Sequence, residues 1–184
     1  MYHIVPKKAF DLAKMLAGEG FSIITGGGPG IMEAANYGAI EHLKECKING
    51  GAHCEPLVSV GIGLVRLNKE QANPYVQENI IMDHFFTRKW LLVRYSVGFV
   101  IFPGGYGTMD ELFEIMTLKQ THKMQDAPII LIDSNYWKPL LDWVYKSALA
   151  NGLITEEDTK LIMVLDDLKT AVEVLKRYHK LLPF

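Results

Sequence analysis

The sequence predicts an α/β fold built on a doubly wound parallel sheet in a three-layer αβα arrangement, and three observations predict it. Short apolar runs rich in Val and Ile alternate with stretches of helical spacing, which is the order expected of βαβ units. The runs VGFVIF and PIILI are apolar throughout, which implies burial on both faces by flanking helices. Glycine-rich turns follow Thr25 and Phe102, where strands of such a sheet hand over to helices and where ligands are bound.

The elements follow in order. A helix is expected over Phe10 to Leu16, then a strand in FSIIT from Phe21, and a helix over Ile31 to Leu43 after the first glycine turn. Strands are expected in LVSVGIG from Leu57 and VQENII from Val76, then a helix over His84 to Tyr95. The strand VGFVIF from Val97 leads through the second glycine turn into a helix over Asp110 to His122. PIILI from Pro128, a helix over Trp137 to Ala150, LIMVL from Leu161 and a helix over Leu168 to Leu182 complete the order. No repeat, linker or low-complexity segment interrupts it, so residues 1–184 are expected to form one domain.

Composition narrows the class of partner. A formal charge of -2 offers no positive field for nucleic acid or an acidic membrane, which leaves a small ligand. The opening MYHIVPKKAF lacks the apolar run of a signal peptide, and the hydrophobic strings fall short of the roughly 18 residues that cross a bilayer, so a cytoplasmic protein is expected. Cys46, His53 and Cys54 lack a fourth ligand for structural zinc; ordinary reduced thiols and no metal are expected.

The first turn, TGGGPGIMEAAN from Thr25, carries Gly26, Gly27, Gly28 and Gly30, a backbone bare enough for a ligand to approach its N–H groups. Pro29 and the following MEAA suit a helix start. The alternative is that the glycines only allow a tight strand-to-helix turn. The string lacks the GK[ST] ending of a P-loop, and Ile31 stands where the dinucleotide fingerprint needs a small residue, which disfavours a plain NAD site.

The second turn runs VIFPGGYGTMDELFE through Gly104, Gly105, Tyr106, Gly107 and Thr108 into a helix opened by Asp110 and Glu111. Successive N–H groups backed by a helix dipole suit a phosphate dianion, with the Thr108 hydroxyl as a further donor. Thr108 and Glu111 also have the spacing of a capping box, in which the carboxylate only satisfies a backbone N–H. Against that, two acids beside a phosphate repel it unless one has other work.

Upstream, HFFTRKWLLVRY places Arg88 and Lys89 in an apolar, aromatic stretch. Their heads either lie in water over surface-packed stems or, for Arg88, point into the strand-end crevice to offer a planar fork of donors. Glu70, in the loop LNKEQANPY, is a third candidate.

GGGPGIMEAAN, the pair Arg88 and Lys89, and PGGYGTMDE from Pro103 to Glu111 resemble in order and spacing the LOG ("lonely guy") family, often labelled "possible lysine decarboxylase". The similarity covers nearly the whole chain. It implies a Rossmann-like fold, a homodimer or larger assembly, and hydrolysis of the N-glycosidic bond of a nucleoside 5′-monophosphate, either a cytokinin riboside monophosphate or AMP, with no cofactor or metal. It further implies that Arg88 and Glu111 are catalytic, that Gly104 to Thr108 hold the 5′-phosphate, and that Glu70, Lys89, Asp110 and Thr117 line the substrate site. Nothing in the chain supplies the pyridoxal phosphate lysine that a decarboxylase needs. Family members usually begin with a strand carrying a Gly-Ser motif, which this chain does not show before its first helix, so the expectation is either a true start upstream of this sequence or a sheet that lacks that strand. The rival expectation is a non-catalytic carrier of a nucleotide or of the molybdenum cofactor, on the same fold.

Overall fold

The computed structural model describes residues 4–50, 57–65 and 72–181. The chain divides into two compact units, Met1–Tyr95 and Ser96–Phe184, and each carries three parallel strands with flanking helices.

The first unit contains α1 (Ile4–Gly18), β1 (Ile23–Thr25), α2 (Ile31–Ile48), β2 (Ser59–Leu64), β3 (Glu78–Met82) and α3 (Phe85–Arg94). Its sheet has the order β1-β2-β3, with Ile23 opposite Ser59 and Val60 opposite Glu78. On α1, Ala9, Leu12, Ala13, Leu16 and Ala17 recur at helical spacing and are all buried. Ala17 joins Ala39, Leu43 and Val58 in one apolar cluster. Full burial of a side chain such as Leu12 stabilises by about 1.5–3 kcal/mol.

A polar network sits within this apolar frame. Asn36 on α2 is fully buried; its carboxamide oxygen accepts from Thr25 Oγ1 at 2.8 Å and from Asn73 Nδ2 at 3.0 Å, and its Nδ2 donates to Ser59 Oγ at 2.8 Å. Ser59 Oγ in turn donates to the Tyr75 carbonyl at 2.7 Å. Every polar atom of the amide that points inward therefore has a partner, which is the condition for burying it. The strand expected from Val76 begins later because Asn73 first folds the chain into a turn, accepting from Tyr75 N with its side chain and from Val76 N with its carbonyl.

The second unit contains β4 (Phe99–Ile101), α4 (Tyr106–Gln120), β5 (Ile129–Ile132), α5 (Ser134–Trp143), a π-helical turn over Val144–Leu149, a 3-10 turn over Asp158–Leu161, β6 (Ile162–Leu165) and α6 (Leu168–Leu181). Its sheet has the order β4-β5-β6. All four residues of β5 have no exposed surface, as a strand covered on both faces requires. α6 turns Ala171, Val172 and Leu175 inward.

The six strands and their helices thus occur where the apolar pattern places them, with differences at helix ends: α1 spans Ile4–Gly18 rather than Phe10 to Leu16, and α2 runs on to Ile48 rather than ending at Leu43. α4 begins at Tyr106 rather than Asp110, so Gly107 and Thr108 lie within its first turn. α5 begins at Ser134, capped by Asp133, whose side chain accepts from Tyr136 N. Beyond Pro139, which contributes no N–H to the ladder, the helix expected to run to Ala150 continues as the π-helical turn.

Cys46, in the last turn of α2, is disulfide-bonded, which corrects the expectation of reduced thiols; Cys54 lies outside the described residues. Among the described residues no helix is long and apolar enough to cross a membrane.

Replacing Asn36 by Ala should strand the buried Ser59 and Asn73 groups and the half-buried Thr25 hydroxyl together. The expected loss is about 2–4 kcal/mol, read as a lower urea midpoint at unchanged slope; an unchanged midpoint would remove the network from the account of stability.

Candidate functional site

In the first unit the turn after β1 is held from both sides. Asn73 donates from its backbone N to the Gly27 carbonyl at 2.8 Å, and from Nδ2 to the carbonyls of Gly27 and Gly28 at 3.1 Å each. Gly27 has φ 75°, a conformation that favours glycine, and its Cα passes close enough to Gly61 on β2 that a Cβ there would lie 3.2 Å away. The N–H of Gly27 donates to Thr25 Oγ1 at 3.0 Å, so that amide is spent on the turn itself. The amides beyond it open α2, whose N-cap, Gly30, has no side-chain cap.

Arg88 belongs to the same strand-end region. Its Nε donates to the carbonyl of Ile62 at 2.8 Å, its Cζ lies 5.8 Å from the centre of the Phe85 ring, and a Cβ at Gly26 would fall 2.3 Å from Nη2. The guanidinium therefore lies against the glycine turn instead of extending into water, and Gly26 leaves the room it occupies. α3 carries it there, with half-buried Lys89 next in the chain. Of the residues singled out in this half, Gly27, Gly28 and Arg88 are brought together, and Glu70 lies outside the described residues.

The second unit holds the other turn. Gly105 is the N-cap of α4 with no side-chain cap, no acid stands in the first turn, and the first return bond runs from Met109 N to the Gly105 carbonyl at 3.1 Å. A helix leaves its first amides without intrahelical acceptors, so the N–H groups of Tyr106, Gly107 and Thr108 form an entry suited to an anion. Thr108 lies inside the helix and cannot be its N-cap, so the capping-box geometry suggested by its spacing from Glu111 does not form. The earlier helix start also moves Asp110 and Glu111 into the second turn, where they crowd the entry less than acids opening the helix would. Glu111 is half-buried and Asp110 exposed.

Gly104 is enclosed by its neighbours: a Cβ there would stand 2.0 Å from Thr108 Oγ1, and its carbonyl accepts a hydrogen bond from the Tyr136 hydroxyl. Tyr106 by contrast is 96% exposed. Thr117 lies nine residues beyond Thr108, roughly 13 Å along the helix axis. Its hydroxyl donates to the Phe113 carbonyl at 2.7 Å, and it borders an apolar cavity of about 160 Å³ lined also by Met116, Trp143, Val144 and Ile162. The structure thus groups Gly104, Gly105, Tyr106, Gly107 and Thr108 at one helix entry, with Glu111 one turn along, and sets Thr117 apart from them.

Asn36, Asn73, Gly61 and Tyr136 escape the sequence reading. Asn36 closes the quoted string TGGGPGIMEAAN, and an Asn placed on the inner face of a helix is itself a signal of a buried polar partner. Tyr136 carries no such local signal.

Comparison with known proteins agrees with this picture. The family model described as "Possible lysine decarboxylase" matches residues 32–175. A "Probable cytokinin riboside 5′-monophosphate phosphoribohydrolase" of Oryza sativa subsp. japonica is 27% identical over 92% of this chain, which spans 65% of that relative's length. A "Cytokinin riboside 5′-monophosphate phosphoribohydrolase" of Mycobacterium tuberculosis is 28% identical, covering 89% of this chain and 81% of its own. Among solved structures, the molybdenum cofactor binding protein of Rippkaea orientalis superposes with a TM-score of 0.61 at 20% identity, over 94% of this chain and 86% of that one, a likeness of fold. With the α/β architecture, the glycine entries and a family match over most of its length, the chain belongs to the LOG family, the one labelled possible lysine decarboxylase.

Proposed function

We propose that this chain hydrolyses the N-glycosidic bond of a purine-type nucleoside 5′-monophosphate, releasing free base and ribose 5-phosphate. The observation that carries the reading is the uncapped glycine entry of α4, with a carboxylate, Glu111, in the following turn of the same helix. The amides of Gly105 to Thr108 bind the 5′-phosphate dianion, whose charge the helix N-terminus favours. Glycosidic cleavage passes through an oxocarbenium-like state, so the Glu111 carboxylate stabilises the positive charge growing on the sugar and steers the attacking water. Arg88, already turned to the strand end beside Gly26, donates to the ribose and supports the departing base. Binding energy from the phosphate, which takes no part in the chemistry, holds the bond in place for attack. Lys89 and Asp110, with Glu70, are proposed to line the substrate site on the family pattern; Thr117, also part of that pattern, stands apart from the glycine entry beside the apolar cavity. Names of relatives in rice and Mycobacterium tuberculosis support the reaction class.

The proposed homodimer draws support from the aromatic side of α3, where Phe85 is 48%, Phe86 72% and Trp90 52% exposed, a surface that a second copy would cover. The second functional reading, a carrier that binds without cleaving, shares the fold with the molybdenum cofactor binding protein.

Incubation with AMP and with cytokinin riboside monophosphates separates the two readings: free base supports hydrolysis, and tight binding without base release supports the carrier. Glu111→Gln should lower kcat by about 10³-fold with the fold intact, and near-normal ribose 5-phosphate release would end its assignment. Arg88→Ala is expected to lower kcat/KM by about 10²-fold or more, and unchanged kinetics remove it from the mechanism. Sedimentation should show a dimer that Trp90→Glu dissociates; a monomer at all concentrations overturns the self-association.

A further inference from the structure

The glycine entry of α4 has a partner that neither the sequence reading nor the family comparison assigns. Tyr136, on the first turn of α5, donates its hydroxyl hydrogen bond to the carbonyl of Gly104 across 32 residues of chain. The start of the helix that carries this phenol is anchored to the end of β6. Asp133, the N-cap of α5, adopts φ 82°, a left-handed conformation that is strained for a non-glycine residue and persists where the surroundings require it. The strained cap accepts from Tyr136 N, through both its carbonyl and its carboxylate. Next to it, Ser134 N and Oγ donate to the two carboxylate oxygens of Asp166 at 2.9 and 2.6 Å, tying the start of α5 to the end of β6. The Tyr136 ring packs edge-on against Trp137 at 4.9 Å between centres; Trp137 is fully buried and donates its indole N–H to the Ile132 carbonyl at 3.0 Å.

What this mounting holds is the peptide between Gly104 and Gly105. In a planar trans peptide the C=O and the following N–H point in opposite directions, so fixing the carbonyl fixes the amide. Thr108 packs over Gly104 so closely that no Cβ fits there. We infer that Tyr136 is a positioning residue for anion binding: by holding the Gly104 carbonyl, it aims the Gly105 N–H to join the amides of Tyr106, Gly107 and Thr108 on one phosphate. This inference rests on the phosphate reading of the turn and adds to it the residue that prepares the turn before the ligand arrives, as preorganised donors require.

The test compares Tyr136→Phe, which keeps the ring and removes only the hydroxyl, with the unaltered chain. Amide hydrogen exchange without ligand should quicken about tenfold at Met109, whose N–H closes the first turn on the Gly105 carbonyl, and stay unchanged in β5. Affinity for ribose 5-phosphate should weaken about tenfold by calorimetry, while KM for AMP rises and kcat changes little. Binding by the unaltered chain together with unchanged exchange and affinity in the variant overturns the role of Tyr136 alone. An unaltered chain that binds no ribose 5-phosphate overturns the phosphate reading, and this inference with it.

Discussion

A buried carboxamide sets the terms for the first unit. Asn36 has no access to water, so its oxygen and nitrogen must be satisfied by the chain, and the groups that satisfy it come from β1, β2 and the segment before β3. Because each of those partners is itself polar and buried or half-buried, the arrangement has one geometry in which all bonds are made. An apolar side chain at this position would pack in several ways; an amide with fixed donors and acceptors does not. The glycine turn after β1 inherits that geometry through Asn73, which bonds both to Asn36 and to the carbonyls of Gly27 and Gly28.

The second unit reaches a comparable end by different means. Its turn is held by two side chains at one glycine: Thr108 from within the helix that the turn opens, and Tyr136 from the helix after β5. Both units hold carbonyls of their glycine segments with side-chain donors from distant chain. A glycine segment left to itself has the largest conformational entropy of any in the protein, and a loose turn would spend binding energy on ordering itself. Fixing carbonyls is an economical solution, since it directs the amides while leaving them open to a ligand.

Charge is arranged in the same spirit. The entry of α4 carries no acid in its first turn, and the two carboxylates that follow stand in the second, one half-buried and one exposed. A cation, Arg88, lies at the other glycine turn, held by a backbone carbonyl and an aromatic face.

The sequence by itself determined the order and type of the elements and the position of both glycine turns. Those are local properties: six apolar runs and the helical spacing between them can be read in windows of a few residues, and the structure forms its strands in those runs. Glu111 and Arg88 were likewise legible, as charged residues in motifs of fixed spacing. Only the tertiary structure decided which way Arg88 turns, that Thr108 enters the helix rather than capping it, that Asn36 is the centre of a network, and that Tyr136 reaches Gly104. The bonds concerned join residues 11 to 46 positions apart, from Thr25 with Asn36 to Asn73 with Gly27. A periodic pattern tells each residue which side is inward, but the partner it meets there is chosen by how separate elements pack, and that choice is made only when the chain folds.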